Sequence, residues 1–224
     1  MPRELSAYRD VAPPGQVDLL YRLSNQARGK HLLHVSSTKM GGGIAEGLQN
    51  LTPLLREMGI HTRWEVMEGT EAFYQTTQCF HNGLQGQDVK LTDAIQDAYV
   101  EGTRARAHHL DLSADVVMTY DPAPLALIDE APADSRWIWR CHLDVSRPQR
   151  KVWGFLRSYV AKYDAVVFSL PQFAQPLSLP QFLMTPSIDP LSDKNREMEQ
   201  EEMTRILDKL GVPRDKPILL QVSR

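Results

Sequence analysis

Cysteine is scarce in this chain. Its 224 residues hold two, Cys79 and Cys141, and neither sits at a metal-ligand spacing. That argues against a disulfide framework and makes a reducing compartment the default. An excess of one charge is also missing: 25 Lys+Arg stand against 28 Asp+Glu, a net charge of −3, which is not the footprint of a general nucleic-acid binder. No apolar run reaches membrane-spanning length, and the opening MPRELSAYRDVAPPG has no apolar core of a signal peptide. The expectation is a cytoplasmic protein that meets neither membrane nor nucleic acid. The chain further lacks G-x-G-x-x-G and Gly-Lys-Ser/Thr, the fingerprints of dinucleotide and nucleoside-triphosphate sites, which counts against a dinucleotide-dependent oxidoreductase. No Ser/His/Asp or Cys/His relay can be assigned from spacing. His108 and His109 are adjacent and so do not share a helix face, which argues against a metal pair.

What is present is an ordinary globular composition, 42% hydrophobic and 24% charged, with enough length for one large α/β domain. The stretch His31–Leu55, HLLHVSSTKMGGGIAEGLQNLTPLL, organises it. Leu32, Leu33 and Val35 read as a buried strand and Ser36–Met40 as a polar turn. Gly41, Gly42 and Gly43 lead into a helix with Ile44, Leu48, Leu51 and Leu55 on one face. Such a strand, glycine turn and helix start let a ligand approach the backbone. The free N–H groups and the dipole of the first turn favour a phosphate or a sugar hydroxyl.

The rest of the chain repeats the alternation. Residues 1–15 read as a polar arm and 17–28 as a short helix. Strands are expected at 60–67, 115–119, 136–141, 165–168, 181–184 and 217–222, and helices at 70–80, 88–110, 149–163 and 195–210. His81–Gly86 reads as a polar turn and Thr185–Pro190 as a proline-rich connector. The fold class that follows is α/β: an open, mainly parallel, Rossmann-like sheet with helices on both faces. The domain expectation is an N-terminal arm and helix over 1–29, a Rossmann-like domain over 30–190, and a linker helix with one further strand over 191–224.

In such a sheet ligands sit beyond the carboxyl ends of the strands. Polar residues collect there: Ser36–Gly43, Asp121, and His142 with Asp144. Asp121, before a proline, reads either as a turn residue or as an acceptor for sugar hydroxyls. His142 reads either as a buried histidine satisfied by backbone or as a contact to a hydroxyl. His81 and Asn82, with Gln85, either form an idle loop or offer the mixed donors and acceptors that suit a polyol. Glu46 is placed to complement the dipole of the helix it sits on. Trp137 and Trp139 point the same way on one strand and read as core.

The stretches HVSSTKMGGGIAEGLQNLTPLLREMGI, RWEVMEG, FHNGLQG, TYDPAPLALI, WIWRCHLDVS, YDAVVFSLPQFAQPL and PSIDPLSDKN together resemble the trehalose glycosyltransferring synthases, retaining glycosyltransferases of family 4 with the GT-B fold. The resemblance covers about residues 30 to 224. It implies the N-terminal half of a two-domain enzyme, mainly the acceptor-sugar side, that transfers glucose from a nucleoside-diphosphate glucose to glucose with retention. By the same resemblance Gly42, Gly43 and Arg224 bind the donor diphosphate, while Asp121 and His142 line the sugar site. No metal or other cofactor is expected, because this class neutralises the leaving diphosphate with basic side chains and N–H groups. The absence of a positioned carboxylate pair agrees with a reaction that needs no protein nucleophile.

The implied partners are glucose or trehalose, with the nucleotide sugar held through a C-terminal domain that this chain lacks; a homodimer is left open. The chain alone is expected to be inactive. Two alternatives stand beside this: a trehalose phosphorylase-like or other-acceptor member of the same class, and a non-catalytic sugar-binding module.

Overall fold

The computed structural model describes residues 4–213 and 215–221. Its contacts divide the chain into two units, 1–188 and 189–224. In the first, six strands form one sheet in the order β2-β1-β3-β4-β5-β6: β1 (His31–Ser36), β2 (His61–Val66), β3 (Val116–Tyr120), β4 (Arg136–Cys141), β5 (Ala165–Phe168) and β6 (Gln181–Leu183). Every pairing is parallel. The helices are α1 (Gln16–Ala27), α2 (Gly42–Glu57), α3 (Glu71–Leu84), α4 (Asp93–Ala107) and α5 (Arg150–Val160). The α/β class with a Rossmann-like sheet is therefore observed.

Alternation along the strands builds the main core. Leu33, Val35, Val117, Trp137, Trp139 and Cys141 are all nearly or fully inaccessible, and they join α3, α4 and α5 in one apolar cluster. Phe73, Phe80 and Tyr99 fill the space between sheet and helices. On α2 the inward stripe is Ala45, Leu48 and Thr52, while Leu51 is 41% exposed, so the buried face is rotated from the expected one. Glu46 falls beyond the first helical turn, which holds no acidic residue, so it is not a dipole partner of that turn. The supposed arm is not free. Leu5, in a short 3-10 turn (Leu5–Tyr8), packs with Val17 and Met58, and its N–H donates to a Glu57 carboxylate oxygen at 2.7 Å.

Several boundaries differ from expectation for local reasons. Helix α3 runs on through His81 and Asn82 to Leu84, because Phe80, Gly83 and Leu84 are buried at helical spacing; the polar turn expected at 81–86 is helix for most of its length. Helix α4 starts at Asp93 rather than 88, since the Thr92 side chain caps it by accepting from the Ile95 N–H. Asp88 and Val89 instead receive the Gln149 amide, at 2.9 and 2.8 Å. The core aromatic reading of Trp137 and Trp139 agrees with their burial.

In the second unit α6 (Gln200–Lys209) is one exposed helix that begins later than expected, at 200 rather than 195. The Asn195 side-chain amide donates to the Asp189 carbonyl at 2.8 Å, within a turn. An ion pair joins Arg196 to Glu202. Residues 217–221 form no strand, against the expectation for 217–222, whose last residue lies outside the described set. A strand exists only through neighbours that take its backbone hydrogen bonds.

Candidate functional site

The strand order places the site. The chain lays β2 on one side of β1 and β3 on the other, so the direction of winding reverses between β1 and β3. In open parallel sheets a crevice forms beyond the carboxyl ends of strands at such a reversal. The glycine turn follows β1, Asp121 follows β3 and His142 follows β4. These three strands are consecutive neighbours in the sheet, about 4.8 Å apart. Residues far apart in the chain thus reach one edge.

The glycine turn is held from below. Trp64 Nε1–H donates to Ser36 Oγ at 2.8 Å, Ser36 Oγ donates to the Thr38 carbonyl at 3.0 Å, and the Gln49 amide reaches the Lys39 carbonyl at 3.1 Å. Gly41 and Gly42 have φ of 76° and 79°, a region that side chains disfavour. No side chain caps the start of α2. A Cβ built at Gly42 or Gly43 meets nothing within 4 Å, so the backbone N–H groups of the first turn stay approachable.

Asp121 is the one non-glycine residue with positive φ among the described residues, at 57°. Aspartate tolerates this region better than most residues, yet the conformation persists only when its surroundings hold it. Three hydrogen bonds do so. The Asp121 N–H donates to the Arg140 carbonyl at 3.0 Å, its own carbonyl accepts from Trp139 Nε1–H at 2.9 Å, and its Oδ1 accepts from the His142 N–H at 2.8 Å. The next loop is braced by buried tyrosines. Tyr99 Oη donates to the Pro122 carbonyl at 2.7 Å and accepts from the Ala126 N–H at 3.1 Å, and Tyr163 Oη donates to the Leu125 carbonyl at 2.8 Å. Burial pushes both phenols up, well clear of ionisation.

A polar cluster lies under this edge, on the sheet face opposite the main core. The ring of His142 stacks on Tyr120, with centroids 5.8 Å apart and planes 16° from parallel. Tyr120 Oη lies 2.8 Å from His34 Nδ1, and Arg140 Nε–H donates to His142 Nε2 at 2.9 Å. His34 is held neutral: burial first, then the Arg140 cation, lower its pKa to about 4. Arg140 is itself lowered by burial. Its side-chain hydrogen bonds go to His142 and to the Met184 sulfur. Burial also drives up the thiol of Cys141, which faces the core and is chemically quiet.

His81 and Asn82 sit in the last turn of α3. His81 Nδ1 is 3.2 Å from Gln85 Nε2, and Asn82 Oδ1 accepts from Gln78 Nε2 at 2.8 Å. The end of this helix is tied to the loop that carries His142: the Gln149 N–H donates to the Gly83 carbonyl at 2.8 Å, and Gly86, with φ of 85°, packs on the Arg147 carbonyl. Arg224 lies outside the described residues. Sequence reading passed over His34, Tyr120 and Arg140. The signal was there, since each carries a polar group at a strand position that alternates with the core-facing residues Leu33, Val35, Val117, Trp139 and Cys141. Among the described residues no group of three or more His, Cys, Asp or Glu is arranged to hold a metal, and no helix is long and apolar enough to cross a membrane.

Comparison with known proteins agrees with this architecture. The family model described as "Trehalose synthase, N-terminal domain" matches residues 34–175. The trehalose synthase of Pyrococcus horikoshii is 44% identical over 227 residues, covering 99% of this chain and 54% of the relative. That of Rubrobacter xylanophilus is 39% identical over 231 residues, covering 99% and 55%. A trehalose phosphorylase of Pleurotus pulmonarius is 26% identical over 188 residues, covering 73% of this chain and 25% of the relative. The chain spans about half the length of the curated synthases it matches. By the family match over most of its sheet, the chain belongs to the trehalose synthase N-terminal domain family.

Proposed function

We propose that this chain is the acceptor-sugar domain of a retaining glucosyltransferase that makes trehalose from a nucleoside-diphosphate glucose and glucose. The observation that carries the reading is Asp121. Its backbone is held in an unfavourable conformation by three hydrogen bonds at the winding reversal, and its Oδ1 is engaged by the His142 N–H. A carboxylate fixed in this way accepts a sugar hydroxyl through Oδ2 with little ordering cost. His142, and at the end of α3 His81 and Asn82, supply further donors and acceptors around the acceptor hexose. Gly42 and Gly43 let the donor diphosphate approach the uncapped start of α2, with Arg224 as its cationic contact.

In the transfer the acceptor hydroxyl oxygen bonds to the anomeric carbon as the bond to the leaving phosphate oxygen breaks. The hydroxyl proton passes to that phosphate oxygen. No metal enters this reading, and a cytoplasmic setting belongs to it. The curated synthases extend over about as much sequence again, where this reading puts the donor pocket, so the chain alone is expected to give no useful turnover. Calorimetry of the chain with glucose and trehalose tests the acceptor site, and incubation with UDP- or ADP-glucose plus glucose tests for trehalose. Binding of neither sugar overturns the proposal.

The phosphorylase likeness favours a second reading, in which the same crevice serves phosphorolysis of trehalose. Phosphate-dependent release of glucose from trehalose by a protein carrying both halves separates the two.

A further inference from the structure

We infer that Arg140 is a positioning residue: it fixes the single proton of a neutral His142 on Nδ1, and through that ring it orients the Asp121 carboxylate toward the crevice. The argument rests on which atoms can donate. A guanidinium has only donors, so the 2.9 Å contact from Arg140 Nε makes His142 Nε2 an acceptor. A neutral imidazole with one accepting nitrogen carries its hydrogen on the other. His142 Nδ1 is buried, has no hydrogen-bond partner, and lies 3.6 Å from Asp121 Oδ1. That oxygen already accepts the His142 backbone N–H at 2.8 Å. The opposite tautomer would set an N–H against the guanidinium N–H and a lone pair against the carboxylate, so two independent neighbours select the same proton position.

Ring orientation is held from a third direction by the Tyr120 stack at 5.8 Å. Tyr120 is occupied in turn by His34 at 2.8 Å and by the Met118 sulfur at 3.2 Å. The groups facing His142 are thus Arg140 from β4, and Tyr120 and Asp121 from the end of β3. The His142 backbone N–H donates to Oδ1 of Asp121 at 2.8 Å, and ring Nδ1 lies 3.6 Å from the same oxygen, beyond hydrogen-bond length but close enough for the carboxylate charge to favour the Nδ1 proton. Its Oδ2 is left as the lone-pair-bearing atom for a hydroxyl donor. The ligand class is the one already proposed, a neutral hexose, and this inference rests on that reading for its functional consequence but not for its geometry.

The test uses the 15N-histidine-labelled chain. Long-range proton–nitrogen NMR spectra report which imidazole nitrogen is protonated, and the signals of His142 are identified by their loss in His142→Gln. The expected result is a single neutral form of His142 with the proton on Nδ1. In Arg140→Met the ring should shift largely to the Nε2–H form, and in Arg140→Lys, which keeps a donor, it should not. A wild-type ring protonated on Nε2, or an unchanged tautomer in Arg140→Met, overturns the assignment. Because the wild-type spectrum alone can do so, the test survives a methionine variant that fails to fold.

Glucose affinity should fall about tenfold in Arg140→Met and stay within about twofold in Arg140→Lys. Equal affinity in wild type and Arg140→Met refutes the link to Asp121. If the wild type binds neither glucose nor trehalose, the functional reading fails, while the spectra still decide the role of Arg140.

Discussion

Trp139 and Asp121 are joined by a hydrogen bond that runs from the centre of the core to the rim of the crevice, indole Nε1–H to backbone carbonyl at 2.9 Å. Trp139 is fully buried, so its polar edge has no water to turn to, and the carbonyl it satisfies belongs to the residue with the strained backbone. A core side chain thereby steers the backbone of a polar residue at the carboxyl edge of the sheet.

Trp139→Phe removes that bond and leaves a small void, and is expected to cost roughly 2–3 kcal/mol in urea unfolding. Trp137→Phe is the control. Trp137 is equally buried, but its Nε1–H goes to Ser135 Oγ at 2.8 Å, at the other end of β4. Both variants should lose similar stability, whereas only Trp139→Phe should weaken glucose binding by calorimetry. Equal effects on binding would remove Trp139 from the account of the site.

Asp121 should separate stability from function. Asp121→Asn keeps an oxygen for the His142 N–H and a side chain that tolerates positive φ, so the melting free energy should change by less than about 1 kcal/mol. Asp121→Ala loses both and should cost about 2–3 kcal/mol. Sugar affinity should drop in both. Retained affinity in Asp121→Asn would show that the charge is not what the hydroxyl meets.

His34 predicts a pH dependence. Its folded pKa is lowered to about 4 by burial, against an ordinary value near 6.5. In that window the unfolded chain binds the proton and the folded one does not, so His34 contributes its stability above pH ~6.5 and loses it as pH falls toward 4. Between about pH 7.5 and pH 5 the loss should be roughly 2 kcal/mol. Urea titrations at the two pH values, on wild type and His34→Gln, isolate it. An unchanged pH slope in the variant would show that another group is responsible.

Gly83, Gly42 and Gly43 differ in what an added Cβ would meet and in backbone conformation, and so in the cost of alanine. A Cβ at Gly83 would stand 2.6 Å from Val152 Cγ2 and 3.0 Å from Val89 Cγ2, so Gly83→Ala should force α3 away from α5 and cost roughly 1–3 kcal/mol. Gly42→Ala has open space but must hold φ of 79°, a cost of about 1 kcal/mol. Gly43→Ala carries neither burden and should leave stability level or slightly raised. Thermal melts of the three variants check the order. A destabilised Gly43→Ala would mean that the start of α2 is more constrained than its geometry shows.

The alternation of short apolar runs with amphipathic segments was enough to read β1 through β6, their parallel class, and the strand ends that Gly42, Asp121 and His142 follow. Those features are local, since burial periodicity and turn chemistry act within a dozen residues. Two local signals misled. The polar stretch after Phe80 continues as helix because Leu84, four residues on, is needed in the core, and 217–221, though apolar, forms no strand. What tertiary structure alone decided is the pairing under the rim. His34 meets Tyr120 across 86 residues, Trp139 holds the Asp121 carbonyl across 18, and Arg140 shares a half-buried edge with His142 and Asp121. Such contacts depend on strand order and register, and no local pattern in the sequence records which strand lies beside which.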